Sequence, residues 1–134
     1  MISKIFVNLA VNDLPKSIEF FKKLGFGINP QFTDETAACV VMSGDIYSMI
    51  LTKEKFKQFT KKEIADSSKT TEAIVTLSVY SREEVNKLFE KAVNAGAKEA
   101  RAAEDYGWMY GRSFEDLDSH IWEIFWMDPN KIQK

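Results

Sequence analysis

Alternating apolar and polar residues open the chain. Along Ile5–Val11 every second residue is aliphatic, which is the two-residue period of a strand with two different faces. Asp13 then suits the N-cap of a helix, Pro15 its first turn and Gly25 its end. The predicted helix of about three turns carries its apolar stripe at Ile18, Phe20, Phe21 and Leu24.

Three strand-like stretches follow this helix, at residues 27–32, 37–42 and 46–52. Residues 53–71 are rich in lysine and poor in strand formers, so they predict a short helix and a linker. The first part of the chain therefore predicts a βαβββ unit.

The same order of elements then returns. A strand at 73–79 precedes a helix in which Ser81 and Glu84 have capping-box spacing and Gly96 marks the end. Further strands are predicted at 97–102, 107–114 and 120–126, with residues 104–106 in a loop. The second half is therefore a second βαβββ unit.

The two halves also match residue by residue. A shift of 68 residues places 7–25 over 75–93. Five residues are then identical in the two halves, namely Val7, Leu9, Val11, Phe21 and Lys23. A shift of 73 places 44–51 over 117–124, so that Ile50 falls on Glu123. We therefore expect one domain, 1–134, with modules at 1–52 and 72–134. The expected fold is α+β, with two βαβββ modules forming curved mixed sheets around a cleft.

Composition narrows the range of partners. The net charge of -2 comes with interspersed acidic and basic residues, so we expect no nucleic acid partner. No apolar stretch approaches the roughly 20 residues of a membrane span, and the first residues are too strand-like for a signal peptide. The expected compartment is the cytoplasm. Cys39, the only cysteine, lies in an apolar run and is expected to be buried and unreactive.

Three motifs together resemble one known family. The opening strand is followed by NDL at 12–14, the first helix carries EFF and LGF, and the chain closes with FEDLDSHIWEIF. Paired βαβββ units with these motifs resemble the glyoxalase, bleomycin-resistance and extradiol-dioxygenase superfamily, also called vicinal oxygen chelate proteins. In the family's D-P-D-G turn this chain has Leu117 for Pro and Ser119 for Gly.

The resemblance implies four places for metal ligands, one on the first and one on the last strand of each unit. Carried over, they fall on Phe6, Ile50, Ile74 and Glu123. Hydrocarbon at three of the four predicts a member with no metal and no cofactor, because a divalent ion needs several N, O or S ligands. Asn8 and Thr76, one strand repeat away from Phe6 and Ile74, form a poorer alternative set.

An inward carboxylate at Glu123 requires water or a partner. An even-length turn after the preceding strand would pair Arg112 with Glu123 and place Tyr110 and Trp108 on the same face. An odd turn or a bulge would instead present Met109, Gly111 and Ser113. A purely structural role is the alternative for the first set: Trp108 and Tyr110 would pack in an ordinary core, and Arg112 and Glu123 would form a structural ion pair. For Trp122, Trp126 and His120 the structural role is favoured.

Two functions follow from these residues. The first is a metal-free protein that binds a small aromatic or amphipathic molecule. The second is an enzyme, either a glyoxalase-type lyase or isomerase with Glu123 as the base or a metal-dependent enzyme with other ligands. A homodimer is expected in either case. The residues expected to line the ligand site are Phe6, Asn8, Ile50, Ile74, Thr76, Trp108, Tyr110, Arg112 and Glu123.

Overall fold

Each repeat forms a four-stranded mixed sheet with one main helix. A computed structural model describes residues 1–131, which cluster into two units, Met1–Asp66 and a second that begins at Ser67. The predicted α+β fold of two βαβββ units is confirmed.

In the first unit the strands lie in the order β1-β4-β3-β2, with β1 parallel to β4 and the other pairs antiparallel. Its elements are β1 (Ile5–Val11), α1 (Leu14–Lys23), β2 (Gly27–Asn29), β3 (Ala37–Ser43), β4 (Ile46–Thr52) and the short α2 (Lys53–Phe56).

The second unit repeats this topology in the order β5-β8-β7-β6, with β5 parallel to β8. Its elements are β5 (Ile74–Ser78), α3 (Arg82–Asn94), β6 (Lys98–Asp105), β7 (Met109–Glu115) and β8 (Ile121–Met127). Single 3-10 turns occupy Pro30–Phe32, Lys57–Phe59 and Pro129–Lys131.

Side-chain caps begin both main helices. The Asp13 carboxylate accepts a hydrogen bond from the Lys16 N–H at 3.1 Å, and the Ser81 hydroxyl accepts one from the Glu84 N–H at 3.1 Å. Gly96 follows α3 with φ of 115°, a conformation that strains a residue with a Cβ. The predicted starts and ends of α1 and α3 are confirmed.

Two strands differ from their predicted lengths. The strand expected at 27–32 ends at Asn29, because Pro30 starts a 3-10 turn and has no N–H to donate to the sheet. The strand expected at 97–102 continues to Asp105, so the predicted loop at 104–106 is wrong for Glu104 and Asp105. Both residues are therefore held in a sheet.

Each main helix covers one face of its own sheet. Helix α1 packs against β3 and β4, and α3 packs against β7 and β8. Fully buried side chains fill these layers, among them Phe20, Phe21, Val40, Ile50, Val85, Phe114, Trp122 and Ile124. At one end of α3 Arg82 forms an ion pair with Asp105, and this hydrogen bonding holds the pKa of Asp105 at about 2.

The turn between β7 and β8 has five residues, 116–120, and is organised by a buried carboxylate. Asp116 accepts hydrogen bonds from the N–H groups of Asp118 (2.9 Å) and His120 (3.0 Å) and from the Trp122 indole N–H (2.9 Å). Burial raises the pKa of Asp116, against the opposing effects of His120 and these donors. Ser119, which stands where the family has Gly, has φ of 68°, the left-handed conformation that favours glycine.

Cys39 is buried in β3, as predicted, and burial raises the pKa of its thiol. None of the helices within residues 1–131 is long and apolar enough to span a membrane.

Candidate functional site

The register of the two sheets corrects the predicted match between the repeats by one residue. Asn8 pairs with Met49 in the first unit, and Thr76 pairs with Glu123 in the second. Since Asn8 and Thr76 correspond, the counterpart of Glu123 is Met49. The predicted equivalence of Ile50 with Glu123 is therefore wrong, and Ile50 corresponds to Ile124.

The predicted pairing of Arg112 with Glu123 is also wrong. Arg112 lies opposite Ile124, while Glu123 lies opposite Ser113. The reason is the five-residue turn at 116–120, since an odd turn shifts the pairing by one and moves each side chain to the other face. Arg112 and Glu123 consequently lie on opposite faces of the sheet.

Arg112 and Tyr110 face helix α3. The Arg112 guanidinium lies 3.6 Å from the ring centroid of Phe89, and the Tyr110 hydroxyl donates to the Asn86 side chain at 2.7 Å. Arg112 also approaches Glu99 at 3.4 Å. The expected placement of Tyr110 and Arg112 beside Glu123 is therefore corrected, and these two residues join α3 to its sheet.

Ile50 is likewise displaced from the expected site. Its side chain is completely buried and shares a sheet face with Ser48, whose hydroxyl donates to the Val7 carbonyl at 2.9 Å. It therefore belongs to the core of the first unit and not to a ligand-facing surface.

Trp122 and His120 occupy structural positions, whereas Trp108 is partly exposed. Trp122 is buried, as predicted, and its indole N–H donates to Asp116. His120 lies in the turn, with its Nδ1 atom 3.2 Å from the Ser67 hydroxyl. Trp108 precedes β7 and stacks on Tyr106, with ring centroids 6.2 Å apart, and is about half exposed. A role for Trp108 in binding stays a prediction.

The face of the second sheet opposite α3, which we call the open face, carries a polar row with one residue from each strand. Thr76 lies beside Glu123, Glu123 beside Ser113, and Ser113 beside Arg101. Thr76 is exposed, Glu123 is partly buried, and Ser113 is buried with no hydrogen-bond partner for its hydroxyl. This row is the candidate site.

Arg101, not Arg112, compensates the charge of Glu123. An Nη2 atom of Arg101 lies 2.6 Å from Oε2 of Glu123, and the same guanidinium forms an ion pair with Glu104. Residues three apart on a regular strand face opposite sides, but a bulge between Arg101 and Glu104 places both on the open face. The sequence does not predict that Arg101 and Glu104 lie beside Glu123, because no residue of 97–105 indicates this bulge.

The equivalent row of the first sheet is uncharged. Phe6 stacks on Tyr47 with ring centroids 4.7 Å apart, and the row equivalent to that of Glu123 contains Asn8, Met49 and Cys39. Phe6 is about half exposed and Asn8 is exposed. The first unit thus presents apolar and neutral groups where the second presents charges.

These positions do not fit a divalent metal ion. With the corrected register, the four places implied by the resemblance hold Phe6, Met49, Ile74 and Glu123, and only the last is a good oxygen ligand. Within residues 1–131 no three His, Cys, Asp or Glu side chains are grouped so that they could hold a metal ion.

Comparison with protein families gives one match. The model of the Glyoxalase/Bleomycin resistance protein/Dioxygenase superfamily matches residues 5–124. A search of curated proteins found no match.

Solved structures with the same fold are numerous. Hypothetical protein SA1046 from S. aureus is 30% identical, with a TM-score of 0.77 over 93% of this chain and 94% of that one. A glyoxalase-related enzyme from Fulvimarina pelagi is 21% identical, with a TM-score of 0.76 over 90% of this chain and 85% of its own. Fosfomycin resistance protein FosX from Mesorhizobium loti is 14% identical, with a TM-score of 0.69 over 98% of both chains. At these last two identities the likeness shows the fold alone.

Proposed function

Because the chain belongs to the glyoxalase, bleomycin-resistance protein and dioxygenase superfamily, we propose that it is a metal-free member that binds a small molecule on an open sheet face. The observation that carries the proposal is the chemistry of the residues at the metal places of each unit. Phe6 and Met49 are apolar in the first unit, and in the second unit Ile74 lies on the same face as Glu123, which is already paired with Arg101. Each of these faces, taken by itself, is better suited to an organic ligand than to an ion.

The proposed ligand site in the second unit combines apolar and polar groups. Ile74 is about half exposed, and Thr76, Ser113 and Glu123 supply hydroxyl and carboxylate groups beside it. A small aromatic or amphipathic molecule would match this combination, with its apolar part on Ile74 and its polar part on the row. Phe6 and Asn8 offer a similar, uncharged surface in the first unit.

The alternative of an enzyme with Glu123 as the base is less well supported. Glyoxalase-type proton transfer needs positive charge beside the substrate to stabilise the enediolate. The one cation of the row, Arg101, is paired with Glu123 itself, and the row contains no second cation for this task.

The metal-free part of the proposal predicts that purified, dialysed protein contains far less than one transition-metal ion per chain. Elemental analysis for Zn, Ni, Fe and Mn measures this directly. The opposite result is about one ion per chain that is lost in Glu123→Ala and retained in Asp45→Ala, whose carboxylate is exposed in the first unit. That result would show that Glu123 is a ligand.

We also propose that the protein is a homodimer. β1 and β5 are edge strands of their sheets, and Ile5 on β1 exposes a large apolar side chain that the proposed ligand surfaces do not use. Exposed apolar side chains on sheet edges are commonly covered by a second copy in small proteins. Size-exclusion chromatography with light scattering should give twice the 15.4 kDa mass of one chain, and a mass of one chain at micromolar concentration would refute the dimer.

A further inference from the structure

The polar row of the second unit also indicates what kind of ligand it would take. We infer that the open face around Glu123 recognises the cationic group of a small molecule, an amidinium, guanidinium or protonated amine on an apolar body, and that Arg101 occupies the place of this cation until the ligand displaces it. The inference rests on the proposed function and names its ligand class.

The balance of charge excludes an anion. Arg101 is the single cation between two carboxylates, Glu104 and Glu123, and its guanidinium is bonded to both. In the next row of the face Lys98 lies opposite Glu115, so these two charges cancel. With Glu104 counted beside the row, the open face carries two carboxylates around one guanidinium that is already engaged. An anionic ligand would therefore meet net negative charge, whereas a cation would be attracted to it.

Ser113 supplies an observation that does not depend on the charges. Ser113 is only 2% exposed, and its hydroxyl has no hydrogen-bond partner, although buried hydroxyls are normally paired. In the register it lies between Arg101 on β6 and Glu123 on β8, so the ion pair between them crosses over β7 at this residue. A ligand N–H seated between the carboxylates would give the Ser113 hydroxyl the partner it lacks.

Arg101 is free to leave this place. Its side chain is 54% exposed, and it belongs to β6, an edge strand that is irregular on both sides of Arg101. An ion pair with such an exposed partner contributes little to the free energy of unfolding, so moving the Arg101 guanidinium into water costs little free energy. Glu104, Glu123 and Ser113 would then be available together to the forked N–H groups of an amidinium.

Apolar residues flank the row and would hold the body of the ligand. Ile121 precedes Glu123 by two residues on β8 and pairs with the half-exposed Ile74, while Phe125 follows Glu123 by two. Alternation along a strand places all of them on the same face as Glu123. The site thus joins a negative polar centre to apolar surface on both sides.

Three probes of nearly equal shape test the inference: benzamidine (a cation), benzamide (neutral) and benzoate (an anion). Isothermal titration should show that benzamidine binds at least about tenfold more tightly than benzamide, as expected for hydrogen bonds to charged groups, and that benzoate binding is not measurable. In ¹⁵N-labelled protein the amide signals of Thr76, Ser113 and Glu123 should shift with benzamidine.

Two variants should change this affinity in opposite directions. Arg101→Gln removes the competing cation and should strengthen benzamidine binding about threefold, in keeping with the small cost of displacing an exposed ion-pair partner, whereas Glu123→Gln should weaken it about tenfold. Asp45→Asn removes an exposed carboxylate of the first unit and should have no effect. Amide spectra of each variant establish that it is folded, and because Arg101 is exposed its variant is expected to fold normally.

Weaker benzamidine binding in Arg101→Gln, or benzoate binding as tight as that of benzamidine, would overturn the inference. If all three probes bind this face equally, the ligand class is wrong and the proposed small-molecule binding stands. If these probes and a general fragment set all leave the open-face signals unchanged, the proposed function itself fails.

Discussion

Replacing Ile50 by glutamate is expected to unfold the first unit, whereas the same change at the neighbouring Met49 should leave it folded. Ile50 is completely buried beneath α1, where an ionised carboxylate would have no partner and no water. The expected loss for Ile50→Glu is about 4 kcal/mol or more, since an unpaired buried charge costs several kcal/mol in addition to the lost apolar contacts.

Met49 is the matched control for this change. It is only partly buried and corresponds to Glu123, so Met49→Glu places a carboxylate where the second unit already has one. We expect a loss of no more than about 1 kcal/mol. Urea denaturation followed by circular dichroism measures both variants. If Met49→Glu were the more destabilising change, the corrected register would be wrong and the original equivalence of Ile50 with Glu123 would be restored.

Replacing Asp116 by alanine is expected to destabilise the second unit by about 3 kcal/mol. Three donors would lose their acceptor, and the Trp122 indole N–H is too deeply buried to find water. Removing the carboxylate also removes its own burial cost. The lost bonds outweigh this gain, because hydrogen bonds to a charged group contribute about 1.5–3 kcal/mol each.

Two comparisons separate this effect from a general loss of charge. Asp116→Asn keeps one acceptor oxygen and should cost roughly half as much as alanine. Asp45→Ala removes an exposed carboxylate from the turn between β3 and β4 of the first unit and should change the free energy of unfolding by less than about 0.5 kcal/mol. Equal effects of Asp116→Ala and Asp45→Ala in urea denaturation would refute the organising role of Asp116.

The sequence predicted the helices and the order of the strands because their determinants are local. The two-residue alternation of Ile5–Val11 identifies β1, and Asp13 and Ser81 identify the helix starts through side-chain caps. The end of β2 at Asn29 follows from Pro30, whose missing N–H ends the strand although strand formers surround it in the sequence.

The site was harder to predict because it depends on single-residue register. One residue in the turn at 116–120 decides whether Arg112 or Ser113 lies beside Glu123, and hydrophobic patterning does not specify the length of a turn. Of the two turn lengths that the sequence allows, the odd one, which presents Met109, Gly111 and Ser113, is the one that occurs. The partner of Glu123 depends further on irregular pairing in β6, which brings Arg101 and Glu104 to one face.

Binding of a small molecule in the absence of a metal can be measured by chemical-shift mapping of ¹⁵N-labelled protein dialysed against EDTA. A fragment set that includes aromatic and amphipathic molecules is added, and the amide signals are followed. We expect dose-dependent shifts centred on Ile74, Thr76, Ser113 and Glu123 in the metal-free protein. Shifts at this face that occur only after Zn, Ni, Fe or Mn is added, and that disappear in Glu123→Ala, would contradict this expectation.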